Sequence, residues 1–164
     1  MNKLIPISVI AAIALLAAGA AGAQEKFLVQ LPIKVDAAGG TADRIKSECK
    51  IDTMLANYMV AKVNNQFPGS GALEGDEAAP ADAKVLRLTI VNVFGLGGGA
   101  YSGTKQMSVR AEIVANKKVL ATTIRERQSM GGAAGLFGGG TCSVFNKISD
   151  VLANDIAVWM VSTH

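Results

Sequence analysis

Four basic residues in the second half of the chain have spacings that could serve an acidic partner. Lys105, Arg110, Arg125 and Arg127 fall beside or within two segments that alternate apolar and polar residues, as strands do. We expect the three arginines, with Glu112, to form a charged patch on an exposed or partly exposed sheet face. Cross-strand pairs of this kind contribute about 0.2–1 kcal/mol each. The patch is therefore either a solubility device or, with Lys105, a surface for an acidic partner.

Two glycine-rich segments are the second candidate binding region. The segment GLGGGAYSG follows a predicted strand and contains the G-x-G-x-x-A pattern of dinucleotide-binding loops. That mechanism needs a helix after the loop, whereas a strand follows here, so we expect a wide hairpin turn and no bound nucleotide. The candidate binding residues of this segment are Gly97, Gly98, Gly99, Tyr101 and Ser102.

The segment GGAAGLFGGGTC does run into a predicted helix. Free N–H groups at a helix start favour an anion, which makes Gly139, Gly140 and Thr141 candidate binding residues. Every helix has such an end, and Thr141 can cap this one alone, so a hinge is the favoured interpretation. Leu136 and Phe137 could insert into a partner or a membrane surface, or fold back onto their own domain.

Residue types that most enzymes require are scarce. The only histidine is His164, the last residue, where fraying is common. A histidine general base and a His/Cys metal cluster are therefore not expected. The carboxylates are scattered, and no G-x-S-x-G motif is present. We predict no catalytic residues, no metal and no cofactor.

The first 23 residues have the pattern of an export signal. Lys3 precedes an apolar stretch over residues 4–18, and the small-residue pattern of Ala21 and Ala23 suits cleavage. The alternative is a membrane anchor, but the second half of the stretch is Ala/Gly-rich. No cysteine follows for lipid attachment. We expect a periplasmic or secreted protein without a stable membrane anchor.

Composition favours one globular domain. Removing 23 of 164 residues leaves 141, enough for a single domain over residues 24–164, with a flexible loop at 68–83. The net charge of +3 without basic clusters argues against nucleic acid. The two cysteines of an exported chain predict a Cys49–Cys142 disulfide. Free thiols and an intermolecular bridge are the alternatives.

Periodicity predicts the order β-α-β-β-β-α. Strands are expected at residues 27–35, 84–94, 106–114 and 119–127, with a tight hairpin at Asn116-Lys117. Helices are expected from about Thr41 to Asn64 and over residues 141–162. Pro32 indicates an edge position for the first strand. The predicted fold is an α+β two-layer sandwich, with two helices on one face of a four-stranded mixed sheet.

Chain direction links the disulfide to this topology. In the predicted sheet both glycine-rich segments lie at one end, and a right-handed crossover starts the first helix there too. The second helix begins at the same end. The two cysteines are therefore expected to meet.

The pattern resembles small exported Gram-negative envelope domains of unknown function. The resemblance rests on the strand KVLRLTIVNVFGLGGGAYSG, a hairpin, and a glycine-rich run into TCSVFNKISDVLANDIAVWM. In element order it is also similar to the penicillin-binding-protein activator lipoproteins and to the amino-terminal domain of TolB. The lipoproteins' lipid-acceptor cysteine is absent here.

Three functional hypotheses follow. The first is a non-catalytic accessory module of the cell envelope that binds an envelope protein. The second is a small-ligand or anion-binding protein using the glycine-rich loops. The third is a hydrolase with an unrecognised site, for which Tyr101, Ser102 and Thr104 are the only polar candidates. The oligomeric state is left open.

Overall fold

The computed structural model describes residues 25–37, 40–75, 77–95, 103–130 and 140–163. The predicted signal peptide lies outside them. The described residues form six strands and three helices: β1 (Lys26–Leu31), β2 (Lys34–Val35), α1 (Gly40–Cys49), α2 (Ile51–Gln66), β3 (Gly71–Glu74), β4 (Ala83–Gly95), β5 (Thr104–Ala115), β6 (Lys118–Met130) and α3 (Thr141–Ser162). The predicted α+β class is confirmed, whereas the predicted numbers of strands and helices are too low.

The strands belong to one mixed sheet. β3, β1, β4, β5 and β6 lie side by side in that order, and β2 also pairs with β4. β1 is parallel to both of its neighbours, so the edge position predicted from Pro32 is wrong. Pro32 lies instead in a gap, because pairing of β1 with β4 stops at Val29 and resumes only at Lys34 of β2. A residue without a backbone N–H is well suited to such an interruption.

Three helices cover one face of this sheet. On that face, alternating residues of β4 and β5 are buried together with a stripe of α3 whose members lie three or four residues apart. These residues are Leu86, Leu88, Ile90, Met107, Val109, Ala111, Ile113, Phe145, Ile148, Leu152 and Ile156. The opposite side of the sheet, here called the open face, carries Gln30, Arg87, Thr89, Ser108, Arg110 and Glu112.

The first predicted helix is broken into two. Lys50 separates α1 from α2 and has left-handed backbone angles, φ 49° and ψ 52°. An α-helix cannot continue through a residue in this region, so the helix axis changes direction there. The change allows Cys49 and Ile51, which would point to different sides of a continuous helix, both to be buried.

Part of the segment predicted as a flexible loop is a strand. β3 lies within residues 68–83 and pairs with β1 from Leu28 opposite Gly71 to Leu31 opposite Glu74. The ladder continues one step further, since the Gly75 N–H donates to the Leu31 carbonyl at 2.8 Å. Hydrogen bonds to a strand more than forty residues away stabilise a segment whose local sequence carries no strand signal.

The hairpin between β5 and β6 forms where it was predicted. Asn116 and Lys117 both have positive φ, 52° and 63°, as a two-residue type I′ turn requires. Two bulges then change the register. Leu120 is an extra residue in β6, and Val91 is an extra residue in β4. Regular alternation from Ile90 would place Phe94 inward, but the bulge at Val91 turns Phe94 outward, with 46% of its surface exposed.

The predicted disulfide is confirmed. It joins Cys49, the last residue of α1, to Cys142, the second residue of α3, with 5.0 Å between their Cα atoms and 93 residues between them in sequence. Gly95 at the end of β4 lies against Phe145 of α3 and Ile45 of α1. The bridge therefore lies at the end of the sheet where β4 ends, as chain direction predicted.

Candidate functional site

Most of the predicted glycine-loop residues lie outside the described residues. These are Gly97, Gly98, Gly99, Tyr101, Ser102, Leu136, Phe137 and Gly139. Gly140 is the N-cap of α3 with extended backbone angles, and Thr141 is the first helical residue. Because the N-cap is a glycine, no side chain caps this helix, contrary to the expectation for Thr141.

The four predicted basic residues do not form one patch. A regular register after the two-residue turn would place Arg125 and Arg127 on the same face as Arg110. The extra residue Leu120 shifts the register by one, so that Ile124 lies opposite Arg110. Because a one-residue shift exchanges the faces of a strand, Arg125 and Arg127 lie on the helix side and Arg110 lies on the open face.

Lys105 is buried, with 1% of its surface exposed. The alternation that places Met107 and Val109 inward places Lys105 inward too, so the sequence contained this signal. Its partner across the ladder is Gly95, which has no side chain. Burial lowers the pKa of the Lys105 ammonium group. Lys105 is therefore not part of an exposed basic surface.

Arg127 connects β6 to α3 through a two-pronged ion pair. Its Nε donates to Asp155 Oδ2 at 2.6 Å and its Nη2 donates to Asp155 Oδ1 at 2.9 Å. These hydrogen bonds and the attraction between the charges raise the pKa of Arg127. The pair neutralises the arginine within its own chain, so this cation has little left to offer an acidic partner.

On the open face, Arg87 is held by two neighbours. Its Nε donates to Gln30 Oε1 at 3.1 Å, and its Nη1 lies 3.9 Å from Glu112 Oε2. Gln30 in turn donates to the Gly75 carbonyl at 3.4 Å. This chain of contacts fixes the Arg87 guanidinium beside the gap in which Pro32 lies.

A cleft of about 730 Å³ occupies that gap. It is lined by residues of the interrupted strand, by Arg87 and Thr89 of β4, and by Arg110 of β5. Lys46 of α1 and Asp52 of α2 also line the cleft. Its volume is in the range typical of small-molecule sites.

Six of the seven exposed large hydrophobic side chains of the described residues lie on the neighbouring elements β6 and α3, and we call these six residues together the β6–α3 surface. It comprises Val119, Leu120 and Ile124 of β6 and Val151, Val158 and Val161 of α3. Each is at least 42% exposed, and the only other large hydrophobic side chain exposed among the described residues is Phe94. A groove of about 460 Å³, lined by Ile124, Val158 and the Arg127–Asp155 pair, runs between the strand and the helix.

Two kinds of site are not found among the residues that the structure describes. No three His, Cys, Asp or Glu side chains converge there as metal ligands would. No helix in this part of the chain has the length and apolar character needed to cross a bilayer.

No protein-family model matches the chain, and no curated protein matches its sequence. Several solved structures resemble it. PelC from Paraburkholderia phytofirmans, solved as a dodecamer, aligns with a TM-score of 0.50 at 15% identity, over 79% of this chain and 86% of that one. Protein XCC0632 from Xanthomonas campestris, of family DUF330, aligns with a TM-score of 0.45 at 9% identity, over 85% of this chain and 87% of that one. Lipoprotein GNA1162 from Neisseria meningitidis aligns with a TM-score of 0.43 at 12% identity, over 82% of this chain and 99% of that one.

The likeness to PelC is a likeness of fold. The solved structures that resemble the chain include lipoproteins of Gram-negative bacteria. The resemblance to the penicillin-binding-protein activator lipoproteins and to the amino-terminal domain of TolB stays a prediction.

Proposed function

We propose that the chain is a non-catalytic accessory protein of the Gram-negative envelope, exported to the periplasm, that works as an assembly of several copies. The observation that carries the proposal is the β6–α3 surface, which holds six of the seven exposed large hydrophobic side chains of the described residues. Concentrations of exposed apolar surface mark interaction sites. The Cys49–Cys142 disulfide supports a periplasmic location, because disulfides persist in oxidising compartments.

The two edges of the sheet differ in a way that favours β6 as the contact. β3, at one edge, has 4 residues, whereas β6, at the other, has 13. No strand within the described ranges pairs with the outer side of β6. Long exposed edge strands are either protected or used to pair with another chain. The apolar side chains of β6 favour its use for pairing with another chain.

A second copy of this chain fits the edge without placing like charges opposite each other. Antiparallel pairing about a two-fold axis at Ile124 would place Ile124 against its own copy, Thr122 against Glu126, and Thr123 against Arg125. An axis at Arg125 or Glu126 would instead oppose identical charges, which is destabilising. Among the axes that avoid this, we place the axis at Ile124, because it is the most exposed large apolar side chain of β6. PelC, which shares the fold, was solved as a dodecamer, and this supports assembly of the present chain.

Replacing Ile124 with glutamate should break the assembly. Light scattering of the purified exported protein at micromolar concentration should give a multimer for the wild type and a smaller species for Ile124→Glu. The substitution would set two carboxylates opposite each other at the two-fold axis. Its effect on folding should be small, within about 0.5 kcal/mol, because the side chain is 56% exposed.

Phe94→Glu is the matched control, since Phe94 is the one exposed large hydrophobic residue outside the β6–α3 surface in the described chain. This variant should keep the wild-type mass. A monomeric wild type, or an Ile124→Glu protein with the mass of the wild type, would contradict assembly through β6.

A further inference from the structure

One row of residues across the open face combines two cations with a hydroxyl group. Lys34 of β2 lies opposite Thr89 of β4, and Thr89 lies opposite Arg110 of β5. Residues opposite each other in a sheet point to the same side, and neighbouring strands lie about 4.8 Å apart. Lys34 and Arg110 therefore flank the Thr89 hydroxyl at roughly 10 Å from each other, measured between backbones.

The Arg110 guanidinium has no hydrogen bond or ion pair with another described residue. Its neighbour Arg87 is already held by Gln30 and Glu112. Ile124, the residue opposite Arg110 on β6, is apolar. Arg110 thus brings five unused N–H donors to the centre of the open face, in the fork geometry that suits carboxylate and phosphate groups.

The cleft at the strand interruption lies beside this row. Four cations line it, namely Lys34, Lys46, Arg87 and Arg110, against the two carboxylates of Asp36 and Asp52. Its apolar lining comes from the interrupted strand and includes Leu31, Pro32 and Val35. Such a cleft suits a ligand with an anionic group at one end and an apolar body that lies along the wall.

We propose that this cleft binds a small organic anion. Arg110 and Lys34 bind its carboxylate or phosphate group, and the Thr89 hydroxyl donates a hydrogen bond to the same group. The apolar part of the ligand lies against Pro32 and its neighbours. The site adjoins the β6–α3 surface, because Arg110 lies opposite Ile124 of β6.

Ligand-observed NMR on the purified exported protein tests the proposal, with glutarate, inorganic phosphate and the neutral glutaramide as probes. Glutarate or phosphate should bind saturably at millimolar concentration, and glutaramide should not. Whichever anion binds identifies the group that the site accepts. Arg110→Gln should weaken binding about 10- to 100-fold, since it removes charge-assisted hydrogen bonds. Arg110→Lys should retain part of the affinity.

Arg44→Gln is the charge-matched control, because Arg44 lies on α1 with 53% of its side chain exposed, outside the cleft. It should bind like the wild type. Three results would overturn the site: neither anion binds saturably, Arg110→Gln binds like the wild type while keeping its thermal unfolding curve, or Arg44→Gln loses as much affinity as Arg110→Gln.

Discussion

Replacing both cysteines, Cys49→Ser with Cys142→Ser, is expected to lower the free energy of unfolding by about 4–5 kcal/mol. The bridge closes a loop of 93 residues, and in the chain-entropy model a loop of that length greatly restricts the unfolded chain. Urea unfolding followed by far-UV circular dichroism measures the change. With a slope typical of small proteins, the midpoint should fall by about 2 M.

The reduced wild type is the control for this double variant. It should unfold at nearly the same urea concentration as the serine variant, because both lack the cross-link and keep the same core. Equal midpoints for the oxidised wild type and the serine variant would show that the bridge contributes nothing to stability.

Phe145→Ala is expected to cost about 3–5 kcal/mol of unfolding free energy. The Phe145 ring is fully buried at the start of α3, near the disulfide, and lies against the backbone of Gly95. Removing it loses the transfer free energy of the ring and leaves a cavity between α1, α3 and the end of β4. Denaturant unfolding of the oxidised protein gives the value.

A second substitution shows whether the loss comes from this contact. A methyl group added at Gly95 would lie 3.2 Å from Phe145 Cζ and 3.3 Å from Ile45 Cδ1. Gly95→Ala should therefore cost about 1 kcal/mol in the wild type and less in the Phe145→Ala background, where the space is open. Equal costs in the two backgrounds would mean that the ring does not pack on Gly95.

The elements that were predicted well carry their signal locally. The stripe of α3 is a regular three-to-four spacing over 22 residues, and its bounds match the prediction. The turn at Asn116-Lys117 needs two residues with positive φ, and asparagine adopts that conformation more readily than most residues. The disulfide was predicted from the presence of two cysteines in an exported chain, and chain direction, which local elements define once their order is known, placed both at one end of the sheet.

The missed elements depend on contacts that are distant in sequence. β3 has four residues, GALE, with a glycine and an alanine, and the ladder to β1 makes it a strand. The break at Lys50 has no glycine or proline to mark it. It is stabilised by burial on both sides, because Cys49 packs near α3 while Ile51 enters the core.

The three arginines of the candidate patch were misjudged because β6 contains a single extra residue, whereas Lys105 was misjudged because its inward position in the alternation was overlooked. Because Leu120 is bulged, Arg125 and Arg127 lie on the helix side of the sheet, where Arg127 pairs with Asp155. Arg110 lies on the open face, so the predicted basic patch is divided between the two faces. Bulges have no reliable sequence signal. The cleft, too, was not predicted, because it depends on an interruption of strand pairing along β4 that a proline alone does not specify.

Site-specific photo-crosslinking in cells that export the protein tests assembly through β6 most directly. A photoreactive phenylalanine analogue replaces Ile124 in one strain and Phe94 in another. We expect irradiation to join two copies of the chain at position 124 and not at position 94. Products at position 124 that contain only other proteins, or self-products at position 94 alone, would contradict the proposed contact between copies.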